Sequence, residues 1–300
     1  MRKTYHNPVL LEEAIEGLKI NPLGIYADVT FGGGGHSKAI LEKLSNEGKL
    51  IAFDQDDSAH HNSIDDKRFK LISTNFSNFR RYLKSYDLNE ISGVIADFGV
   101  SSHQIDTKER GFSIRMNGPL DMRMDKKNKL DATEIINSYR ENELIRIFKN
   151  YGEFNQAKKY AKKIIDLRKK KKIETTNDLL KLFAPLMSEQ KFNKVMAKIF
   201  QAIRIEVNGE LDAIKLFLLQ VADFVLKGGR LVCISYHSLE DRLVKRFIRD
   251  GNFEENPHID FYGNRHVPFK KIGHLITPSK EEIIKNKRSR SARLRIAERL

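Results

Sequence analysis

A run of four glycines is the segment of this sequence best suited to binding a small molecule. The glycines occupy residues 32–35, with Asp28 shortly before them and Asp54 further along the chain. Glycine lets the backbone approach a ligand closely, and a helix that follows such a loop presents free N–H groups. These residue types, in this order, predict a ligand-binding loop flanked by two carboxylates.

The spacing of the glycines favours one kind of ligand over two others. A dinucleotide loop has the pattern G-x-G-x-x-G/A, and the last position here is Ser37 or Lys38. The phosphate-binding pattern G-x-x-x-x-G-K-[ST] is absent from the sequence. S-adenosylmethionine (SAM) has no phosphate, but it carries cationic groups that suit Asp28 and a ribose diol that suits Asp54. The loop therefore predicts a SAM site, with an ordinary tight turn as the alternative.

Two further positions could contribute to the same site. Asp97 follows a predicted strand and begins a polar stretch, so transfer chemistry is expected there. Phe76 could stack on an adenine, although a place in the core explains it equally well. The string at residues 97–99, Asp-Phe-Gly, also occurs in protein kinases, but no other kinase motif accompanies it here.

The elements that would position these residues alternate between strand and helix. Apolar runs predict strands at residues 25–30, 49–53, 69–73 and 93–96, and helical spacing is found at residues 37–44 and 76–86. This alternation predicts an α/β fold with a parallel-rich sheet and helices on both faces. The carboxyl ends of parallel strands share one edge, which brings the glycine loop, Asp54 and Asp97 together.

A helical insert is predicted to interrupt this core. Residues 98–129 form a long polar stretch, helical patterns run over residues 131–226, and capping-box sequences begin at Asp131 and Thr175. We expect Gly228 and Gly229 to end the last helix before a strand at residues 230–235. The predicted division is residues 1–105 and 223–300 for the core, and residues 106–222 for an inserted loop and helical domain.

The segment after the resumed strand, residues 235–242, contains serine, histidine and acids. A hydrolase triad is assembled in space and needs a nucleophile elbow, so adjacency in sequence does not make one. The pattern instead predicts a helix capped by Ser238, with Glu240 and Asp241 in its first turn. Mixed edge strands are expected over residues 258–276.

The charge balance points to a polyanionic partner. Lys and Arg number 54 against 40 Asp and Glu, a net charge of +14, and nucleic acid is the commonest polyanion. Basic residues concentrate at residues 158–172 and in the tail at residues 285–299, both suited to phosphate contact. A solvated helix face is the alternative for the first segment.

The remaining composition favours a cytoplasmic protein. The single cysteine, Cys233, cannot form an intrachain disulfide and lies in a predicted strand, which suits a reducing compartment. Apolar stretches are too short to span a bilayer, the N-terminus lacks a signal-peptide pattern, and zinc-type Cys/His spacing is absent. We therefore expect neither a membrane partner nor a metal site.

Taken in order, the motifs give the chain a resemblance to the bacterial ribosomal small-subunit methyltransferase H family. The matching segments are residues 6–12, 28–37, 97–106, 109–113, 118–124, 201–211, 235–242 and 290–295. The resemblance implies a Rossmann-like SAM-dependent enzyme that methylates N4 of a cytidine, cytidine 1402 in the usual numbering, in the decoding region of 16S rRNA. It implies SAM contacts at Gly34, Gly35, His36, Asp54, Phe76, Asp97 and Gln104. The chain departs from the family at Gly33 and His103, and neither position is a matched contact.

Methylation of an exocyclic cytosine amine needs alignment more than it needs a strong base. The N4 lone pair is delocalised into the ring, so a site can help by accepting hydrogen bonds from N4 and holding the reactants in line. Candidate acceptors are Asp97, Ser101 and Ser102, together with carbonyls of that loop. The rival interpretations are a nucleotide-dependent oxidoreductase, and a non-catalytic RNA-binding or ribosome assembly factor on a methyltransferase-like fold.

Overall fold

The structure is a computed structural model that describes residues 8–253 and 267–300. The chain divides into two compact units, Met1–Gly99 with Leu211–Leu300, and Val100–Glu210. The second unit is thus inserted into the first. Its bounds fall earlier at both ends than the predicted insert of residues 106–222. At the later end the reason is that Phe217, Leu218 and Val221 pack into the core of the first unit.

The first unit is built on a sheet of seven strands among the described residues, in the order β3-β2-β1-β4-β5-β7-β6. The strands β1 to β5 pair in parallel, whereas β7 is antiparallel to both β5 and β6. Their bounds are β1 Ile25–Asp28, β2 Lys49–Asp54, β3 Phe69–Ser73, β4 Ile91–Asp97, β5 Val225–Ser235, β6 Phe269–Ile276 and β7 Arg293–Arg299.

The helices fall into the same two groups. Those assigned to the first unit are α1 Leu11–Leu18, α2 Gly35–Lys43, α3 Phe79–Ser85, α10 Glu210–Val221 (whose first residue ends the second unit), α11 Ser238–Asp250 and α12 Lys280–Lys285. Those of the second unit are α4 Ser102–Asp106, α5 Ala132–Ser138, α6 Glu141–Asn150, α7 Ala157–Arg168, α8 Thr176–Phe183 and α9 Glu189–Asn208. No helix within residues 8–253 and 267–300 has both the length and the apolarity needed to cross a lipid bilayer.

The strand order reverses direction between β1 and β4, and this reversal defines where a ligand can bind. Connections from β1 run outward to β2 and β3, and the chain then returns to place β4 on the other side of β1. In open α/β sheets the crevice lies outside the carboxyl ends of the strands at such a switch point. Asp28 ends β1, Asp54 ends β2 and Asp97 ends β4, so the three predicted acids border this crevice.

The central strands are apolar on both faces because helices cover both sides of the sheet. β4, with the sequence ISGVIAD, buries most of its length, and the second half of β5 is completely buried. An aromatic cluster fills one side, with Phe79 5.7 Å from Phe53 and 5.5 Å from Phe217 between ring centroids. Cys233 lies within β5, and burial raises the pKa of its thiol, which makes it unreactive as expected.

The second unit has a helical core of its own. The long helix α9 buries Met196, Ile199, Phe200, Ile203 and Val207, a spacing that places them along one face. The predicted N-caps are confirmed, because the side chains of Asp131 and Thr175 accept backbone N–H groups three residues later, and the full capping box is present at Thr175.

The polar stretch of residues 98–129 is ordered by side chains that bind backbone carbonyls. Arg110 is buried and donates to the carbonyl oxygens of Arg123 and Met124. Asn208 donates to the carbonyl of Met122 at 2.8 Å and accepts from the N–H of Met124 at 2.7 Å. Buried backbone groups need such partners, so these side chains replace regular secondary structure along the loop.

In the C-terminal third, the predicted end of the last insert helix is wrong. The last insert helix ends at Val221, and Gly228 and Gly229 lie inside β5 rather than at a helix end. Much of the predicted basic tail forms β7, which lies between β5 and β6 in the sheet. The expected edge strand is confirmed for residues 269–276, because β6 lies at the edge of the sheet. Residues 258–266 of that prediction lie outside the described residues.

Candidate active site

The glycine loop joins β1 to α2 in a conformation that requires glycine. Gly32 and Gly34 have φ of 50° and 75°, and Gly34 is the N-cap of α2, a backbone region that L side chains rarely adopt. At Gly35 an added Cβ would lie 2.1 Å from Cγ of Pro8. The segment before α1 therefore packs directly on the loop, and only glycine fits beneath it.

Asp54 holds this loop through the backbone. Its Oδ2 accepts the N–H of Gly32 at 2.7 Å and its Oδ1 accepts the N–H of Asp56 at 2.8 Å. Burial raises the pKa of Asp54 to about 6, against the lowering effect of these hydrogen bonds. Each carboxylate oxygen has a second lone pair, so Asp54 can fix the loop and still accept from a ligand hydroxyl.

Asp28 has a different role from the one its position suggested. Its carboxylate accepts the hydroxyl of Ser37 at 2.7 Å and the N–H of Thr30 at 3.1 Å, and the residue is 2 % exposed. Burial raises the pKa of Asp28 to about 6. The side chain thus links the end of β1 to the first turn of α2. In this geometry it does not reach a cationic group of a ligand directly.

Asp97, like Asp54, keeps some accessible surface. Its side chain is 21 % exposed, its Oδ1 accepts the hydroxyl of Tyr236 at 2.8 Å, and its own N–H donates to Thr30 Oγ1 at 2.6 Å. Burial raises the pKa of Asp97 to about 6, opposed by His36 and by the Tyr236 hydrogen bond. The carboxylate is therefore fixed at the switch point with one side open to the crevice.

His36 lies beside Asp97 on α2. Its Nδ1 is 3.9 Å from Asp97 Oδ2, and its Nε2 is 3.1 Å from the carbonyl oxygen of Val9. A carbonyl can only accept, so Nε2 carries the proton and Nδ1 faces the carboxylate. Burial lowers the pKa of His36, which favours the neutral form of the ring.

Phe76 lies just beyond the end of β3. It begins a short 3₁₀ turn, and its ring centroid is 5.8 Å from that of Phe98 and 5.7 Å from that of Phe217. The residue is only partly buried, so the ring rests on the aromatic core and keeps some surface exposed. The structure thus confirms that Phe76 packs on the core, and stacking on an adenine stays a prediction.

Ser101, Ser102 and Gln104 begin the second unit at α4. Ser101 is the N-cap of α4, and its hydroxyl accepts the N–H of Gln104 at 3.2 Å. The Gln104 side chain accepts the N–H of Ser101 at 3.0 Å, which completes a capping box. Ser102 is partly exposed and is the first residue of the helix.

The segment after β5 supplies the functional residue that sequence reasoning missed. The N-cap of α11 is His237 rather than the predicted Ser238, while Glu240 and Asp241 occupy the first turn as expected. Tyr236 precedes this cap and reaches Asp97 from the neighbouring strand. The available signal was its position directly after a strand predicted to lie in the same sheet.

The basic segments are only partly available to a partner. Arg168 donates to the carbonyls of Ile136 and Tyr139, so it caps the end of α5. In the tail, Arg293 and Arg295 both bind Asp241. Nη1 of Arg168 is therefore engaged within the second unit, and phosphate contact by this residue stays a prediction. The exposed basic side chains of these two segments are Lys158, Lys159, Lys162, Lys163, Lys169, Lys170, Lys171, Lys172, Lys285, Lys287, Arg290 and Arg293. Of these, Lys171, Lys172 and Arg293 pair with Asp178, Glu174 and Asp241.

The arrangement in the first unit fits a ligand with a cationic centre and a hydroxylated ring. Asp54 and Asp97 end two strands beside the loop with partly exposed carboxylates, and burial raises the pKa of each to about 6. A bound cation would favour their ionised forms. The glycine loop leaves backbone N–H groups at the start of α2, and Phe76 adds an aromatic surface. SAM has the matching groups, whereas a dinucleotide would bring phosphates to an acidic crevice.

Comparison with known proteins gives matches over the whole chain. A sequence profile described as the MraW methylase family matches residues 3–300. The "Ribosomal RNA small subunit methyltransferase H" of Christiangramia forsetii is 55% identical over 296 residues, 99% of this chain and 98% of its own length. The protein of that name from Bacteroides fragilis is 46% identical, with the same coverage. The crystal structure of an rRNA methylase from Streptococcus thermophilus matches with a TM-score of 0.37 and 15% identity over 97% of this chain and 96% of its own.

Proposed function

The chain belongs to the MraW methylase family, and we propose that it transfers the methyl group of SAM to N4 of a cytidine in the decoding region of 16S rRNA, cytidine 1402 in the usual numbering. Membership of this family establishes that the protein is a SAM-dependent methyltransferase. The rRNA target is supported by relatives named small-subunit rRNA methyltransferases, 55% and 46% identical over nearly full length. Action on rRNA also accords with an expected place in the cytoplasm.

The observation that carries the proposal is the position of Asp97. It combines exposure to the crevice, a fixed side-chain geometry and a place at the switch point. Asp54 would accept from the ribose hydroxyls, Phe76 would lie on the adenine, and the loop at Gly34, Gly35 and His36 would bring backbone close to the cofactor. Gln104 is the remaining proposed contact.

When bound, SAM supplies a methyl group made electrophilic by its sulfonium. Transfer of that methyl group to N4 would release S-adenosylhomocysteine, and the proton lost from N4 would pass to solvent. The protein's part is to hold N4 in line with the methyl group and to accept hydrogen bonds from its N–H groups, which can lower the barrier by several kcal/mol. Asp97, Ser101 and Ser102 are the proposed acceptors.

Replacing Ser102 by alanine tests the serine part of this scheme. We expect Ser102→Ala to lower the single-turnover rate about tenfold, the loss typical of one hydrogen bond to a charged or polarised group. Ser101→Ala makes a poorer test, because it also removes the cap of α4, at a cost of about 1 kcal/mol. An unchanged rate for Ser102→Ala, measured at saturating SAM, would remove this serine from the mechanism.

Four lysines of α7 form the surface best suited to rRNA phosphates. Lys158, Lys159, Lys162 and Lys163 are exposed, opposite the buried face at Ala157, Ala161 and Ile164. Changing all four to glutamine should weaken rRNA binding and make its salt dependence shallower, by about 0.7 in log–log slope for each phosphate that the protein no longer neutralises. SAM affinity should stay the same.

The control for this charge change is an equal one elsewhere. Lys43, Lys67, Lys84 and Lys245 are exposed in the first unit, and their glutamine variants remove the same net charge. Binding measured at several salt concentrations should separate the two sets. Equal effects of both sets on binding would mean that net charge, and not the α7 surface, attracts the RNA.

The proposed activity is tested with purified protein, labelled SAM and small subunits from a strain that lacks the gene. We expect label in 16S rRNA and its recovery as N4-methylcytidine after digestion to nucleosides. Label in another nucleoside would correct the target atom. If neither small subunits nor free 16S rRNA became labelled while the protein bound SAM normally, the non-catalytic RNA-binding alternative would be favoured.

A further inference from the structure

Tyr236 lies just after the end of β5, and its hydroxyl donates a hydrogen bond to the Asp97 carboxylate. Among the described residues, no other strand end supplies a hydrogen bond to this carboxylate. The two residues are far apart in sequence but close in the sheet, because β4 and β5 are parallel neighbours and Asp97 pairs with Ile234. Tyr236 comes two residues after Ile234, so it lies beside the loop that follows Asp97. Its hydroxyl donates to Oδ1 at 2.8 Å.

Both the backbone and the ring of Tyr236 are held in place by neighbouring residues. Its backbone N–H donates to Oε2 of Glu240 at 2.7 Å, within the cap of α11. Its ring lies on Gly99, where an added Cβ would be 3.2 Å from Cδ2 of the ring and where φ is 104°. A side chain at position 99 would therefore both strain the backbone and crowd the ring, so this glycine and this tyrosine fit each other.

We propose that Tyr236 is a positioning residue for methyl transfer, which holds the Asp97 carboxylate in its ionised form with one oxygen turned toward the crevice. A hydrogen bond to a carboxylate favours its charged form. With Oδ1 engaged by the tyrosine, Oδ2 and the unused lone pairs are the ones free to accept from a ligand. The inference rests on the proposed role of Asp97 in SAM binding, although its first test does not.

Other charged groups around Asp97 do not replace this contact. His36 faces Oδ2 from α2 at 3.9 Å, which is too long for a hydrogen bond; its charge, when the ring is protonated, also lowers the pKa of Asp97, but its own pKa is lowered by burial. Asp28 on β1 and Glu240 on α11 are acidic, so they oppose ionisation of Asp97. Burial and the neighbouring Asp97 raise the pKa of Tyr236 itself, so its hydroxyl stays a donor across the accessible pH range.

The first test is urea unfolding of the cofactor-free protein between pH 5 and pH 8. In Tyr236→Phe the ionised Asp97 loses its donor, so the urea midpoint should fall further below the wild type at pH 8 than at pH 5. In an Asp97→Asn background the same change should have an effect that does not vary with pH. A pH-independent loss in both backgrounds would overturn the proposal, since it would show ordinary loss of packing.

The second test is SAM binding by calorimetry over the same range extended to pH 9. The acid midpoint of the binding profile should rise by about one pH unit in Tyr236→Phe, the effect of losing one hydrogen bond to a charged group. Tyr86→Phe, which removes the hydroxyl of an exposed tyrosine, should leave the midpoint where it is. An unmoved midpoint in Tyr236→Phe, or an equal shift in both variants, would overturn the proposal even if rRNA methylation is confirmed.

Discussion

Replacing Asp97 by asparagine is expected to reduce methyl transfer at least 100-fold while making the cofactor-free protein more stable at pH 8. Asparagine keeps an oxygen that can accept from Tyr236, the partner of Oδ1 at 2.8 Å. It loses the negative charge that a cationic ligand requires. A loss of that size corresponds to about 3 kcal/mol, within the range for losing a hydrogen bond to a charged group.

The gain in stability follows from the sign of the pKa shift. Burial raises the pKa of Asp97 from 3.8 to about 6, so its stabilising contribution is present below pH 4 and is lost as pH rises through 6. Ionisation then costs the folded state up to roughly 3 kcal/mol, less because the side chain is 21 % exposed. The stability of Asp97→Asn relative to the wild type should therefore increase from pH 4 to pH 7 and stay high at pH 8, as measured by urea unfolding.

Asp66 provides a matched control of opposite sign. Its carboxylate binds Arg68, and this hydrogen bond lowers the pKa of Asp66 to about 2. Its contribution to stability is present above the unfolded pKa and is lost in acid. Asp66→Asn should thus be destabilised at pH 8 with transfer unchanged. An Asp97→Asn enzyme that retains wild-type transfer would contradict the role proposed for Asp97.

The second large effect is expected at Gly35. An alanine there would place Cβ 2.1 Å from Cγ of Pro8, a separation that atoms cannot adopt, so the loop or the segment before α1 must move. Such overpacking costs about 1–3 kcal/mol. Movement also changes the Val9 carbonyl, which holds His36 at 3.1 Å. We expect Gly35→Ala to weaken SAM binding at least tenfold in calorimetry.

A second substitution tests the cause of this effect. Pro8→Ala removes the atom that clashes and leaves only the Pro8 Cβ at 3.2 Å, which a small shift can relieve. The double variant should therefore recover much of the SAM affinity and stability that Gly35→Ala removes, whereas Pro8→Ala alone should change little. Equal defects in the single Gly35→Ala variant and the double variant would show that contact with Pro8 is not the reason for glycine at this position.

The sheet and the acids could be predicted from the sequence because each depends on local pattern. Apolar runs such as the one in β4 are typical of buried strands, and an acid that ends each of three strands meets the others at one edge. The order of strands beyond β5 could not be predicted in this way. β7 reads as a basic tail because its arginines are neutralised by distant partners, as Arg295 is by Asp241, and its Glu298 pairs with Arg230 of β5.

The roles of Asp28 and Tyr236 also depend on contacts that residue type does not reveal. Asp28 lies where a carboxylate that binds the ligand is expected, but the hydroxyl of Ser37, nine residues later, donates a hydrogen bond to it instead. Tyr236 lies inside a segment whose serine, histidine and acids are typical of a helix cap. Only the parallel register of β4 with β5 brings its hydroxyl to Asp97.

Mapping of methylated nucleotides in 16S rRNA from a strain that lacks this protein is the most direct test of the proposed function. We predict that N4 methylation of cytidine 1402 disappears, returns with the wild-type gene, and does not return with the folded Asp97→Asn variant. An unchanged methylation pattern in the strain without the gene would contradict the proposed function. Recovery with Asp97→Asn would contradict the site.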